Sequence, residues 1–175
     1  SGAKSLGPAD APVVVTDYSD FECGHCRNFA FGAAKEIIEN DVKAGLVRFE
    51  FRHRWLGSGG SMLAAMASEC AAEQNRFWDY HDLLFANQLS GFSQNVLKRL
   101  AAQVDGLDQR QFGQCLDSQK YRSVVEAESR EASRLNINST PTILVNGKLV
   151  TPSGAQPYSV FKKAIDQALA EVSGK

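Results

Sequence analysis

The sequence lacks a long apolar run, an excess of charge of either sign and an internal repeat. Its longest unbroken apolar stretch, residues 62–67, is far shorter than the ~18 residues that a membrane-spanning helix needs. With 19 basic and 20 acidic side chains the formal net charge is −1. Nothing in the charge therefore favours a nucleic acid or an anionic membrane surface as partner, and we expect no nucleic-acid binding.

Cysteine is scarce but present, with four residues in a chain of 175. Small disulfide-rich proteins use cysteine in place of an apolar core, and a chain of this length does not need that substitute. The four cysteines are therefore expected to be either chemically active or selectively structural. The chain begins Ser1-Gly2-Ala3 with no apolar targeting segment, so its start is uninformative about location.

The apolar pattern of the first third predicts a β-α-β unit. A β-branched run from Val13 to Thr16 predicts a buried strand that reaches Asp17 or Tyr18, and residues 46–51 predict a second one. Between them, apolar residues from Ala30 to Ile38 recur at helical spacing, and Gly45 is a plausible helix end. Such a connection between neighbouring strands predicts a parallel pair.

The rest of the chain is helical until a strand pattern returns near its end. Ser93 and Asp108 are candidate N-caps within the helical stretch, and Asn146-Gly147 is a type I′ turn signal between two short strands. A final helix covers Phe161 to Val172. The predicted class is α/β in the order β-α-β, helical block, β-β-α. We predict one domain formed by residues 10–56 and 137–173, and an inserted helical domain at 57–136.

The strongest motif is Cys23-Gly24-His25-Cys26, where the first strand gives way to the first helix. Unpaired N–H groups and the helix dipole stabilise a thiolate at such a position, and a protonated His25 would add to this. A two-residue spacing also lets the second thiol close a disulfide with the first. The motif favours thiol redox chemistry, with Cys23 as nucleophile and a pKa below neutrality.

The same motif is also compatible with a metal site or a structural bridge. Two cysteines at this spacing are half a zinc site, which either Cys70 and Cys115 or histidines would have to complete. Neither of these cysteines has a partner at the usual spacing, and His53 and His81 are isolated in the sequence. A purely structural bridge is a weaker alternative, because so short a loop constrains little chain entropy. We predict no metal and no cofactor.

Two further features accompany the motif. Asp17 ends the first strand six residues before Cys23, where its carboxylate is either a proton acceptor for the inner thiol or an ordinary turn residue. Thr140-Pro141 precedes the last hairpin, and base rates for an X–Pro bond favour the trans form.

The remaining candidate residues are expected to have no chemical role. His53 and His81 are expected to be structural. Arg48, Glu50, Arg52 and Arg54 alternate along a strand and are expected on its solvated face, with pairing of one of them to Asp17 as the alternative.

Together these features resemble the DsbA-like branch of thiol–disulfide oxidoreductases in the thioredoxin superfamily, across residues 10–173. The resemblance rests on the first strand, the Cys23–Cys26 motif, the Thr140-Pro141-Thr142 segment, the hairpin and terminal helix, and on Cys70-Ala71-Ala72-Glu73-Gln74, Phe77-Trp78 and residues 81–85 within the helical block. It implies a thioredoxin-like fold with an all-helical insertion. It also implies a cis Pro141 packed against the active disulfide, a Thr140 that offers backbone groups to substrate, and Asp17 as the family's buried acid.

The second cysteine pair is either two inert core thiols or a structural disulfide. Cys70 and Cys115 lie on apolar faces of two inserted helices, and once Cys23 pairs with Cys26 only the 70–115 pairing remains. Such a second bridge occurs in some DsbA-like proteins. In an oxidising compartment the disulfide is the favoured alternative.

The predicted function is a protein thiol oxidase that introduces disulfides into exported proteins through a Cys23–Cys26 dithiol. The inter-cysteine residues Gly24-His25 match those of protein disulfide isomerase. A threonine before the cis-proline, as at Thr140, is found in some isomerases and reductases of the superfamily, so a reductase or isomerase remains an alternative. A thiol-based metal-binding module and a redox-inactive scaffold are further ones. By resemblance, we expect reduced or unfolded protein substrates, a membrane redox partner and an extracytoplasmic location, with any signal or anchor segment absent from this chain. We also expect a monomer.

Overall fold

The computed structural model describes residues 2–174, which divide into two units. Residues 2–19, 25–52 and 139–174 form the first, called here the sheet unit. Asp20–Gly24 and His53–Asn138 form the second, called the helical unit. The predicted insertion begins at residue 57, whereas the helical unit begins at His53 and also takes in the five residues that end at Gly24.

The sheet has five strands in the order β1-β3-β2-β4-β5. They are β1 Ser5–Leu6, β2 Val13–Ser19, β3 Val47–His53, β4 Thr142–Val145 and β5 Lys148–Leu149. β1 pairs with β3, β2 with β4, and β4 with β5, all antiparallel. The predicted strands are confirmed to within two residues. β1 was not predicted, because a two-residue strand carries no periodic signal.

The predicted first helix is broken into consecutive pieces. α1 covers Gly24–Phe31, α2 covers Ala33–Ile37, and a π-helical turn covers Ile38–Val42. Gly32 lies at the break with φ −108° and ψ −107°, and a Cβ there would lie 2.8 Å from the carbonyl oxygen of Asn28. A glycine is therefore needed at the break. Gly45 follows with φ +79°, in the left-handed region that favours glycine at a helix end.

The core of the sheet unit combines alternate residues of the strands with buried faces of its helices. The Phe29 ring lies 5.2 Å from that of Phe161 and 6.3 Å from that of Phe49, measured between centroids. Phe161 belongs to the last helix, α8 (Tyr158–Val172), which contacts β2, β4 and α2. The hairpin turn has positive φ at both Asn146 and Gly147, as the type I′ signal predicted.

The helical unit packs around α3 (Gly59–Ala72), which is buried along most of its length. Helix α3 contacts the four other α-helices of the unit, which are α4 (Phe77–Ala86), α5 (Gln94–Ala101), α6 (Gln109–Asp117) and α7 (Arg122–Arg134). Ser93 and Asp108 accept hydrogen bonds from the third backbone N–H beyond them, so both predicted N-caps are confirmed. Among residues 2–174, no helix has both the length and the hydropathy required to cross a bilayer.

The expectation for Arg54 is wrong. Its side chain is buried in the helical unit, where Nε donates to the carbonyl oxygen of Ile137 at 2.7 Å. Arg48, Glu50 and Arg52, by contrast, form a partly exposed ion-pair row along β3. The pattern of alternating charges failed at Arg54 because β3 ends at His53, so the period-two rule no longer applies there.

Candidate active site at the start of α1

Cys23 and Cys26 occupy unlike positions at the beginning of α1. Cys23 immediately precedes the first helical residue and is partly exposed, whereas Cys26 lies in the first turn and has no exposed surface. Gly24 and His25, between them, are exposed. The more accessible Cys23 is therefore also the cysteine at the positive end of the helix, where a thiolate is stabilised.

Cys23 ends a tight turn that starts at Asp20. The Cys23 N–H donates to the carbonyl oxygen of Asp20 at 3.0 Å, and the Glu22 N–H donates to the Asp20 carboxylate at 2.8 Å. The hydroxyl of Ser61, in the first turn of α3, donates to the same carboxylate. Burial raises the pKa of the Asp20 carboxyl above its ordinary value, although these hydrogen bonds act in the opposite direction.

The next carboxylate in the turn, Glu22, is bound at the N-cap of α3. The Ser58 hydroxyl donates to Glu22 and accepts a hydrogen bond from the Ser61 N–H. A Cβ at Gly60 would lie 2.8 Å from Glu22 Oε2, so a glycine lets this carboxylate approach the helix start. The turn before Cys23 is thus held by α3, a helix that begins 36 residues after the motif's first cysteine.

Gln88 also holds this turn. It begins a 3₁₀ turn, Gln88–Ser90, and its side-chain nitrogen lies 2.8 Å from the carbonyl oxygen of Phe21 and 2.8 Å from that of Cys23. No sequence signal identifies Gln88, because no spacing links a glutamine in the helical stretch to a turn 65 residues earlier.

Asp17, Thr140 and Pro141 all belong to the sheet unit. Asp17 is buried in β2 and accepts a hydrogen bond from the Ser19 hydroxyl. β4 begins directly after Pro141, and its residue Ile143 is the register partner of Asp17. The Thr140–Pro141 peptide bond is cis, as the resemblance implied and contrary to the base rate. Pro141 is buried and Thr140 is partly exposed.

Cys70 and Cys115 form a disulfide between α3 and α6. Both residues are buried, and the bridge closes a sequence separation of 45 residues. A zinc site built from all four cysteines is therefore wrong, because two of the thiolates that it needs are bonded to each other.

The described residues contain one group of side chains with metal-ligand chemistry, formed by His53, Glu69 and Glu128 of the helical unit. Their ligand atoms lie within 4.8 Å of one another. His53 Nε2 lies 3.2 Å from Glu69 Oε1, and the backbone N–H of His53 donates to the Glu128 carboxylate at 2.8 Å. These three groups are therefore already hydrogen-bonded to one another within the helical unit.

Comparison with known proteins agrees with this geometry. The family model described as thioredoxin matches residues 2–167. Disulfide bond formation protein D of Bacillus subtilis is 31% identical over 96% of this chain and 78% of its own length. The crystal structure of oxidised BdbD from Bacillus subtilis superposes with a TM-score of 0.87 at 31% identity, covering 95% of this chain and 92% of that one.

A more distant structure supports the fold alone. The DsbA of Chlamydia trachomatis has a TM-score of 0.85 at 20% identity and covers 98% of this chain and 92% of its own. The chain belongs to the thioredoxin family, and within it to the DsbA-like thiol–disulfide oxidoreductases.

Proposed function

We propose that the protein introduces disulfides into reduced, unfolded exported proteins, with the Cys23–Cys26 disulfide as the oxidant. The observation that carries this proposal is the asymmetry of the pair, because Cys23 is partly exposed at the start of α1 and Cys26 is buried. An incoming thiolate reaches the accessible sulfur, and the buried sulfur is the leaving group. The similarity to a disulfide bond formation protein supports the same direction of electron flow.

The proposed reaction consists of two thiol–disulfide exchanges. A substrate thiolate attacks Cys23 Sγ, the Cys23–Cys26 bond breaks, and Cys26 leaves as a thiolate that takes up a proton. A second substrate thiolate then attacks the substrate sulfur of the mixed disulfide and releases the Cys23 thiolate. The substrate loses two electrons and two protons and gains one disulfide, and the protein gains the two electrons as its dithiol.

The stability of the Cys23 thiolate decides how oxidising the pair is. The start of α1 and a protonated His25 both favour the thiolate, which stabilises the reduced form. We therefore expect the pKa of the Cys23 thiol to lie below neutrality. Gly24 is proposed to leave the Cys23 sulfur open to a protein substrate, because it carries no side chain and is exposed.

Asp17 is proposed as the proton acceptor for Cys26, because its carboxylate is buried in β2 of the same unit. Replacing Asp17 with Asn keeps the shape and removes the base. During reoxidation the Cys23 thiolate forms a mixed disulfide with the redox partner, and the Cys26 thiol must lose its proton to attack Cys23 Sγ and release the partner's thiolate. This release should slow in Asp17→Asn in rapid-mixing experiments, while the attack of a substrate thiolate on the Cys23–Cys26 disulfide keeps its rate. Thr140 and Pro141 are proposed to bind the substrate backbone, since this segment leads into β4.

The proposed location is extracytoplasmic, with a membrane redox partner that reoxidises the dithiol. The Cys70–Cys115 disulfide supports an oxidising compartment, because structural disulfides persist there and are rare in a reducing cytoplasm. A partner is required because each turnover leaves two electrons on the protein.

Measuring the reduction potential of the Cys23–Cys26 pair, together with the pKa of Cys23, tests the proposal. The oxidase requires a potential well above that of thioredoxin, ~−270 mV, and a thiolate absorbance that titrates below pH 7. A potential near thioredoxin's would favour the reductase, and a Cys23 pKa near the ~8.5 of a free thiol would remove the basis for an activated nucleophile.

A further inference from the structure

The side-chain amide of Gln88 reaches the turn that carries Cys23 from a distant part of the helical unit. Its two hydrogen bonds end on the carbonyl oxygens of Phe21 and Cys23, each 2.8 Å from Nε2. Both partners are pure acceptors, and the amide NH₂ supplies two donors. The opposite amide orientation would place Oε1 against two carbonyl oxygens, so the geometry determines which end of the amide faces the turn.

These contacts complement those made by the start of α3. Asp20 and Glu22 are held through their side chains by Ser61 and Ser58. Gln88 instead holds the backbone on either side of Glu22, including the carbonyl of the cysteine itself. The α3 contacts therefore locate the turn, whereas the contact with Gln88 restrains the peptide unit that follows Cys23 and leads into α1.

We propose that Gln88 is a positioning residue for Cys23, whose amide holds the nucleophile's backbone in the orientation that directs its sulfur toward the start of α1. The inference rests on the proposed function, in which the substrate thiolate attacks the Cys23 sulfur and the same sulfur later leaves as a thiolate. Gln88 touches no reacting atom and acts only through the backbone of Cys23.

Two physical effects follow from this contact. The carbonyl dipole of Cys23 places partial negative charge near its own sulfur, and a donor on that oxygen reduces its repulsion of a thiolate. Restraining the peptide also keeps the sulfur within reach of the helix N–H groups, whose effect falls off within one turn. Both effects stabilise the reduced form of the pair and so make the disulfide more oxidising.

The test uses Gln88→Met, which keeps the length of the side chain and removes both donors. In a Cys26→Ala background with the Cys70–Cys115 disulfide intact, Cys23 is the one thiol that titrates. The pKa of Cys23, read from thiolate absorbance, should rise by about 0.5 to 1, since one net hydrogen bond is worth roughly that much. In the chain with both active cysteines, the reduction potential should fall by ~15–30 mV, the equivalent of that change.

Gln74→Met is the matched control. Gln74 is also a partly buried glutamine of the helical unit, and its amide bridges the backbone N–H and carbonyl of Asp108, far along the chain from Cys23. The Gln74→Met variant should lose about as much stability as Gln88→Met, whereas the pKa of Cys23 should not change. Gln88→Glu adds a carboxylate beside the two carbonyls and should raise the pKa of Cys23 further than Gln88→Met.

Three results would overturn the proposal. The first is an unchanged Cys23 pKa and reduction potential in Gln88→Met. The second is a change of the same size in Gln74→Met. The third is a lower Cys23 pKa in Gln88→Glu. Failure of the proposed function is separate, because it appears in the parent protein itself as an unactivated Cys23 or a potential near that of thioredoxin.

Discussion

The two pairs of cysteines differ in their separation along the chain, their exposure and their position on helices. Cys23 and Cys26 are close in sequence at a helix start, and the first of them is partly exposed in a turn held by polar side chains. Cys70 and Cys115 are 45 residues apart, and both are buried on helices of the helical unit. Exposure at a helix end suits the proposed redox role of Cys23, whereas burial on two packed helices suits a structural bridge.

The surroundings of the two pairs differ in the same way. The turn before Cys23 is held by hydrogen bonds from Ser58, Ser61 and Gln88, which leave the sulfur accessible. Cys115 instead shares its buried helix face with the apolar Phe112 and Leu116. Polar anchors orient a reactive group without covering it, whereas apolar neighbours exclude solvent and reagents.

The largest expected effect is on activity and comes from Cys23. Cys23→Ser should reduce the oxidation of a reduced test protein to the uncatalysed rate, because the sulfur that forms the mixed disulfide is gone. Loss of free thiols over time measures this. Cys26→Ala is the control, since it should still react at Cys23 with an alkylating reagent. An unchanged oxidation rate in Cys23→Ser would mean that the motif is redox-inactive.

The second effect is on stability and comes from the other pair. Cys70→Ala combined with Cys115→Ala should lower the free energy of unfolding by about 4 kcal/mol, the chain-entropy value for a closed loop of 45 residues. Urea denaturation measures it. The pKa of Cys23 should stay where it is in the parent. A shifted Cys23 pKa in the double variant would break the division into a chemical pair and a structural pair.

A smaller effect, on the pH dependence of the free energy of unfolding, should come from His81, whose ring packs against Phe21 and Phe85. Burial lowers the pKa of His81, with Asp82 acting in the opposite direction. As the pH falls, His81 is therefore protonated in the unfolded chain before it is protonated in the folded chain. The free energy of unfolding should fall as the pH drops below ~6.5. The slope from one such proton is at most ~1.4 kcal/mol per pH unit.

Comparing His81→Phe with the parent between pH 7 and pH 5 isolates this contribution, because the variant keeps a ring and loses the titration. The fall in the free energy of unfolding should be shallower in His81→Phe. It should be steeper in Asp82→Asn, which removes the group that raises the pKa of His81. Equal slopes in all three proteins would show that His81 does not contribute.

The smallest expected effect is on thermal stability and comes from the glycines at the start of α3. Nothing lies within 4 Å of a Cβ built at Gly59, whereas one at Gly60 meets Glu22 Oε2 at 2.8 Å. Gly59→Ala should gain a few tenths of a kcal/mol from helix propensity, and Gly60→Ala should lose that gain by displacing Glu22. Thermal unfolding of both variants measures the difference. If Gly60→Ala were the more stable of the two, the Glu22 contact would not matter for the turn.

Local sequence information was sufficient for most of the fold. The β-branched run of β2, the N-caps Ser93 and Asp108, and the Asn146-Gly147 turn each depend on interactions within a few residues, and each is found where predicted. The break at Gly32 was missed, because the apolar period continues across it and only the close approach of the Asn28 carbonyl shows the need for glycine.

The candidate redox pair, Cys23 and Cys26, could be predicted from the sequence, because two cysteines at a strand–helix junction form a local pattern. The resemblance of the sequence to a known family also pointed to the cis bond before Pro141 and the Cys70–Cys115 bridge. The contacts that hold the turn before Cys23 depend on tertiary packing. Ser58, Ser61 and Gln88 reach the turn before Cys23 from 36 to 67 residues away along the chain. No periodicity or motif encodes such contacts, since they exist only once α3 and the 3₁₀ turn at Gln88 have packed into one unit.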